Sequence, residues 1–178
     1  MGARKIRSLS LLTSNHSTLN DNAVVVLAEI ARLERRIFPK HESLAGDFSQ
    51  EVKKRNQKLL YVIQGDVVTE QKEHEEEKLD PTLIAGYLMY SWSSLAASIT
   101  KLAVRESCRR QGYGEALLQS AIQQIQARRL QCVNLHVDPT RVAAVALYEK
   151  IGFHVDTVVH SYYAPNRDAY RMVLELTS

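Results

Sequence analysis

Two stretches carry side chains whose types and spacing could do chemistry. The first is Arg109-Arg110-Gln111-Gly112-Tyr113-Gly114. It follows an apolar run, Ile99 to Val104, and precedes a helical pattern that starts near Glu115. Glycine lets the backbone turn sharply and lets a ligand come close. A helix N-terminus presents unpaired N–H groups and a positive dipole end, so a turn feeding one suits phosphate oxygens. Arg109 and Arg110 add charge that fits a polyphosphate. The plainer reading is an ordinary strand-to-helix turn with surface arginines, since short glycine motifs match often by chance. The second stretch is Val133-Asn134-Leu135-His136-Val137. Strand alternation puts Val133, Leu135 and Val137 on one face and Asn134 with His136 on the other. A central strand covered on both faces should be apolar on both, so two polar residues sharing a face mark a wet cavity. Imidazole there can take a proton at neutral pH, directly or through one water.

The elements that must hold these residues follow from periodicity and breakers. Ile6 to Leu12 reads as a first strand. Asn20 or Asp21 caps a helix whose apolar positions include Val24, Leu27, Ile30, Leu33 and Ile37. It ends before Phe38-Pro39, because proline disfavours helix in the residue before it. A short helix is expected over Phe48 to Lys58 with Asp47 as its cap. A strand follows over Leu59 to Ile63, stopped by Gly65-Asp66. Residues 66–81 contain a mostly acidic run, Glu70 to Lys78, closed by Pro81. Such a run cannot bury apolar surface, and it reads as a mobile acidic loop between two strands. Thr82 to Trp92 and Ile99 to Val104 are the next strands.

The helix from Glu115 to Arg129 shows one core-facing stripe of Leu117, Leu118, Ala121, Ile122 and Ile125. Cys132 to Val137 is a strand. Arg141 to Lys150 is a helix with Gly152 placed to end it. His154 to His160 and Tyr170 to Leu176 close the chain as two antiparallel strands. The order β-α-α-β-β-β-α-β-α-β-β implies an α/β or mixed α+β fold around one sheet, within a single domain.

Composition limits the function classes. A chain of 178 residues is long enough for a real core. The formal net charge of +3 is too small to argue for nucleic acid, and it does not hinder an anionic ligand. Cys108 and Cys132 show no metal-ligand spacing, so no metal is expected, and they read as reduced thiols of a cytoplasmic or nuclear protein. No run is long and apolar enough to span a bilayer, so no membrane partner is expected. Met1 to Asn20 has basic and hydroxyl residues and no acid, the composition of an organelle transit peptide. The first strand is the preferred reading, because Ile6, Leu9, Leu11 and Leu12 can seat it in a sheet.

Arg109-x-x-Gly112-x-Gly114 resembles the acyl-CoA pyrophosphate loop of the GNAT N-acetyltransferase superfamily. Ala144, Tyr148 and Ile151-Gly152-Phe153 resemble that family's later helix and its exit, in the same order and at about the same spacing. The resemblance implies a mixed sheet whose two central parallel strands splay apart. Acetyl-CoA would enter the notch from one side and an acceptor amine from the other. It implies that backbone N–H groups near Leu102, Ala103 and Val104 pair with pantetheine and the carbonyl. Arg109, Arg110, Gln111, Gly112, Tyr113 and Gly114 would form the cofactor loop. Tyr148 would protonate the leaving thiolate; a ring packed in the core is its plainer role.

Within the superfamily, Phe38-Pro39, Leu135-His136-Val137 and Tyr162-Tyr163 resemble features of protein N-terminal acetyltransferases. There the Phe-Pro loop and the tyrosine pair wall the peptide pocket, and the strand histidine orders the base water. Three residues depart from that pattern. Ser98 falls where a catalytic tyrosine stands, Lys40 follows Phe38-Pro39 where an apolar residue is usual, and Arg141 replaces a frequent asparagine. The expected acceptor is a protein or peptide N-terminus, with Lys40 at its rim. A lysine side chain, a small arylalkylamine or polyamine with Tyr90, Trp92 and the pair Tyr162-Tyr163 to stack an aromatic amine, and a non-catalytic acetyl-CoA-binding subunit are the alternatives. An auxiliary subunit is a possible partner.

Overall fold

The computed structural model describes residues 4–9, 21–40, 42–43, 48–67 and 80–176. Its elements run β1 (Arg4–Ser8), α1 (Asp21–Ile37), α2 (Phe48–Glu51), β2 (Gln57–Val67), β3 (Ile84–Trp92), β4 (Ala96–Val104), α3 (Tyr113–Gln126), β5 (Cys132–Val137), α4 (Val142–Ile151), β6 (His154–Ala164) and β7 (Arg167–Glu175). This is the order read from the sequence, and the mixed α+β fold is the one expected. Among the described residues the strands form one seven-stranded sheet in the order β1-β2-β3-β4-β5-β7-β6.

The sheet is antiparallel except at β4 and β5, which pair in parallel. That parallel pairing runs only from Ala96–Cys132 to Ile99–Leu135. Between β3 and β4 the register shifts, with Tyr90 opposite Ile99 and Met89 opposite Lys101. Thr100 is therefore an extra residue on β4, a bulge that bends the strand. Its hydroxyl donates to the Met89 carbonyl at 3.0 Å. Beyond the bulge, Lys101 to Val104 leave β5 unpaired, and the two strands open a notch.

Helices cover both faces. Leu117, Leu118, Ala121 and Ile125 of α3 are fully buried against Leu88, Val133 and Leu135. Val26, Ile30 and Leu33 of α1 pack on the other face against Leu59, Ile84 and Met89. Each large aliphatic side chain so buried contributes roughly 1.5–3 kcal/mol relative to exposure.

Several boundaries differ from the sequence reading. The helix expected over Phe48 to Lys58 is one turn, because β2 already begins at Gln57, opposite Ser91. Gly65-Asp66 does not stop β2. Gly65 takes a positive φ of 84° inside the strand, and pairing resumes with Val67 opposite Arg4. β4 begins at Ala96, not Ile99, since a tight turn at Ser93 sets the hairpin. α3 stops at Gln126 before Arg129 reaches a φ of 57°. Residues 10–12 of the expected first strand, Asp47, and the run Glu70 to Lys78 lie outside the described residues.

Candidate active site

The glycine-bearing loop stands where the notch needs it. Gly112 caps α3 with φ 82° and ψ 1°, a left-handed conformation that favours glycine. A Cβ at Gly112 would meet no atom within 4 Å, so its demand is conformational. Gly114 is different. A Cβ there would lie 3.3 Å from Leu147 Cδ2 and 3.5 Å from Val104 Cγ2, so its smallness lets α3 sit close to α4 and β4. The loop is tied to β1 and β2. Arg4 donates to the Gln111 carbonyl at 2.9 Å and lies 3.9 Å over the Tyr113 ring, and the Gly65 N–H donates to the Tyr113 hydroxyl at 3.3 Å. The Gln111 side chain folds back to the Ser107 carbonyl.

A cavity of about 1010 Å³ runs from this loop along β4 and α4. Leu102, Ala103, Val104, Arg109, Arg110, Gly112, Tyr113 and Gly114 line it. A second cavity of about 390 Å³ opens on the far side of the notch, lined by Phe38, Ser98, Lys101, His136, Tyr162 and Tyr163 among others. Phe38, Leu102, Arg141, Ala144 and Tyr148 line both, so the two cavities meet at Tyr148. Pro39 lines only the larger one. Among the described residues, Lys40 and Gln111 line neither.

The site's titratable groups are set by their surroundings. His136 stacks flat on Tyr162, with ring centroids 4.5 Å apart and an interplanar angle of 8°. Burial, and then the Arg171 charge, pull its pKa below the usual 6.5, so the ring is neutral at pH 7. Tyr148 is buried on α4, edge-on to Phe153. Burial lifts its pKa above the ordinary phenol range, Tyr163 adds to the rise, and Arg141 opposes it. The Tyr163 phenol is pushed up to about 12, again chiefly by burial. Gly152 at φ 109° ends α4, and the Phe153 N–H closes on the Tyr148 carbonyl at 3.0 Å, fixing the residue that bears the phenol. Ser98 donates to Asn134 Oδ1 at 2.7 Å, so these two polar residues hold the last paired part of β4 to β5.

Sequence reasoning missed an ionic network around the smaller cavity. Lys101 reaches the fully buried Glu34 carboxylate at 3.3 Å and donates to the Glu42 backbone carbonyl. Glu42 accepts from Arg141 at 2.8 Å on Oε2 and forms an ion pair with Arg167 at 2.9 Å on Oε1. Arg167 also donates to Asp138 at 2.8 Å. The Asp138 carboxyl is held down at about 2, first by the Thr140 hydroxyl and then by Arg167. Burying such charges is costly unless all are paired, so the network is evidence of a fixed geometry more than of stability. A charged residue at an irregular spacing gives no periodic signal that could have revealed it.

Phe38 carries two cations against its ring, Lys101 at 4.1 Å and Arg141 at 5.1 Å from the centroid. One expectation needs correcting. Tyr90 and Trp92 do not face the smaller cavity. Tyr90 is fully buried, meets Gln124 of α3 at 3.4 Å, and packs on Trp92, whose ring is covered by Arg128. Neither can stack an amine at His136.

A parallel strand pair parted at a bulge, with a glycine-arginine loop at one end of the notch and a phenol at the junction, defines a class. It is that of proteins that bring a long anionic cofactor and a second substrate together through one sheet. The chain belongs to the acetyltransferase (GNAT) family, whose model matches residues 27–153. It is 34% identical over 84 residues to the ribosomal protein bS18 alanine N-acetyltransferase of Escherichia coli K12, covering 46% of this chain and 57% of that protein. It is 39% identical over 80 residues to the N-terminal acetyltransferase complex ARD1 subunit homolog of Dictyostelium discoideum, covering 44% and 39%. The matches thus span about half the length of these relatives. The structure of the NatC complex bound to Gag peptide and CoA superposes with a TM-score of 0.71 at 18% identity, covering 98% of this chain and 99% of that one, a likeness of fold.

Proposed function

We propose that the chain is an acetyl-CoA-dependent N-acetyltransferase acting on the α-amine of a protein N-terminus. The observation that carries this is the meeting of two cavities at Tyr148, one bounded by the Arg109–Gly114 loop and the other by His136. The donor set fits the cofactor. Arg109, Arg110 and the amides around Gly112 and Gly114 hold the pyrophosphate, with Gln111 and Tyr113 shaping the loop. The backbone of Leu102, Ala103 and Val104, freed from β5, pairs with pantetheine and the thioester carbonyl.

In the reaction the acceptor nitrogen bonds the carbonyl carbon, the C–S bond breaks, and the amine proton must leave. His136, neutral at pH 7, accepts that proton or orders the water that does. Tyr148 stays protonated and gives its proton to the thiolate. A free α-amine has a pKa near ~8 and a lysine near ~10.4, so an N-terminus needs the weaker base. Ser98 cannot act as a base, and its bond to Asn134 gives it a structural task.

The names of the relatives support this acceptor, and two of them belong to complexes, which supports an auxiliary subunit as partner. Tyr162 and Tyr163 with Phe38 and Pro39 form the peptide walls. A lysine acceptor would use the same cavity, and the arylalkylamine reading keeps the Tyr162-Tyr163 pair but not Tyr90 and Trp92, which do not line it. A purely binding subunit would have no use for both His136 and Tyr148 at the junction. The test is labelled acetyl-CoA against N-terminal peptides, N-blocked lysine peptides and arylalkylamines. Label should enter α-amines, and Phe38→Ala and Tyr162→Ala should raise the peptide KM while leaving acetyl-CoA affinity nearly unchanged. Label confined to lysine side chains or free amines sinks the N-terminal reading.

A further inference from the structure

We infer that the smaller cavity reads an acidic side chain on the first residue of the acceptor peptide, with Lys101 and Arg141 as its donors. This rests on the N-terminal reading above and goes beyond it in naming the acceptor's first side chain. The charged groups lining the cavity are Glu42, Lys101 and Arg141. Glu42 has little left to offer a ligand, because Arg141 engages one of its oxygens and Arg167 the other. Its side chain is 9% exposed. Lys101 and Arg141 keep N–H donors in reserve: an ammonium has three and a guanidinium five. Lys101 spends its contacts on Glu34 and the Glu42 carbonyl, and Arg141 meets Glu42 through Nη2.

Both cations approach one ring, that of Phe38, so their charges fall at the same end of the cavity. The remaining charges of the cluster, Glu34, Asp138 and Arg167, do not line the cavity. The cluster as a whole is neutral, three cations against three carboxylates, so what the lining offers a ligand is N–H donors and not net charge. A first side chain such as methionine or leucine would take water from Lys101 and Arg141 and give nothing back. A carboxylate supplies the missing acceptors and a charge-assisted bond. Lys40, which the sequence put at the rim, has no part in this, since it lines neither cavity.

The experiment measures kcat/KM for peptides identical except for a first residue of Asp, Glu, Ala or Met. It uses the wild type, Arg141→Gln, Lys101→Arg, and the double variant Glu34→Gln/Lys101→Met. The double variant removes both partners of the buried pair and so strands no charge. The wild type should prefer Asp or Glu over Met by at least about ten-fold, as expected for a site built to hydrogen-bond its ligand. The ratio should fall toward about one in Arg141→Gln and in the double variant, and survive in Lys101→Arg. Wild-type kcat/KM equal or higher for Met or Ala overturns the inference alone, as does a preference untouched by both charge-removing variants. If no N-terminal peptide accepts acetyl while lysine peptides or free amines do, the N-terminal reading and this inference fall together.

Discussion

His136 can serve as a proton acceptor because β5 places it beside Arg171 and under Tyr162. Both its burial and the neighbouring cation disfavour the imidazolium, so the acidic limb of kcat/KM should lie below pH 6.5. His136→Ala should flatten that limb; a limb of unchanged position in the variant would put the base elsewhere. Tyr148 is shifted the opposite way, and its phenol remains a proton donor through the whole neutral range. Tyr148→Phe should lower kcat by roughly 10²–10⁴ and change the acetyl-CoA KM little, since thiolate protonation belongs to the transition state. Steady-state kinetics at saturating peptide decide this, and an unchanged kcat would return Tyr148 to a packing role.

At the scale of elements, the notch depends on how β3 holds β4. Gly86 pairs with Val104 just past the bulge. A Cβ there would sit 2.6 Å from the Ala103 carbonyl oxygen, a backbone atom that cannot swing aside. Gly86→Ala should therefore cost about 1–3 kcal/mol in denaturant unfolding and misplace the amides at Leu102 to Val104. Acetyl-CoA affinity should fall with it; native stability and affinity in this variant would show that the strand can shift freely. Gly112→Val differs in kind, because a Cβ there meets no atom within 4 Å and the left-handed backbone is what a β-branched residue disfavours. The fold should survive a strain of about 1–2 kcal/mol, while calorimetry should show acetyl-CoA binding abolished.

At the scale of the whole molecule the arginines divide between the two cavities. Arg109 and Arg110 line the larger cavity, and Arg141 lies where the two cavities meet. Arg109 is exposed, so its contribution is screened within about 10 Å at 0.1 M salt. Arg109→Ala should weaken acetyl-CoA binding most at low ionic strength, with the two Kd values converging as salt rises. Parallel titrations at two salt concentrations test this, and a loss independent of salt would point to a packing role for the arginine stem. The cross-ties Glu42–Arg141 and Glu42–Arg167 join the loop after α1 to α4 and to β7, so the walls of the acceptor cavity are set jointly.

The sequence by itself determined the element order and the glycine-bearing turn between strand and helix; the resemblance gave that turn and Tyr148 their expected roles. Hydrophobic period, glycines at the loop and at Gly152, and the polar face of β5 are local signals, and each marks a local structure. The resemblance added the splay, which no periodicity contains. Where one strand pairs with another is not local, and so Gly65 failed to end β2 and Lys58 fell into a strand. The same holds for the smaller cavity. Lys101, Glu34, Glu42 and Arg141 come from β4, α1, the loop after it and the start of α4, and their spacing in the chain carries no pattern. Lys40 looked like the cation at the acceptor's rim because it follows Phe38-Pro39. Only the tertiary structure shows that Lys40 lines neither cavity and that Lys101 of β4 lies against the Phe38 ring, its ammonium paired with the buried Glu34 carboxylate.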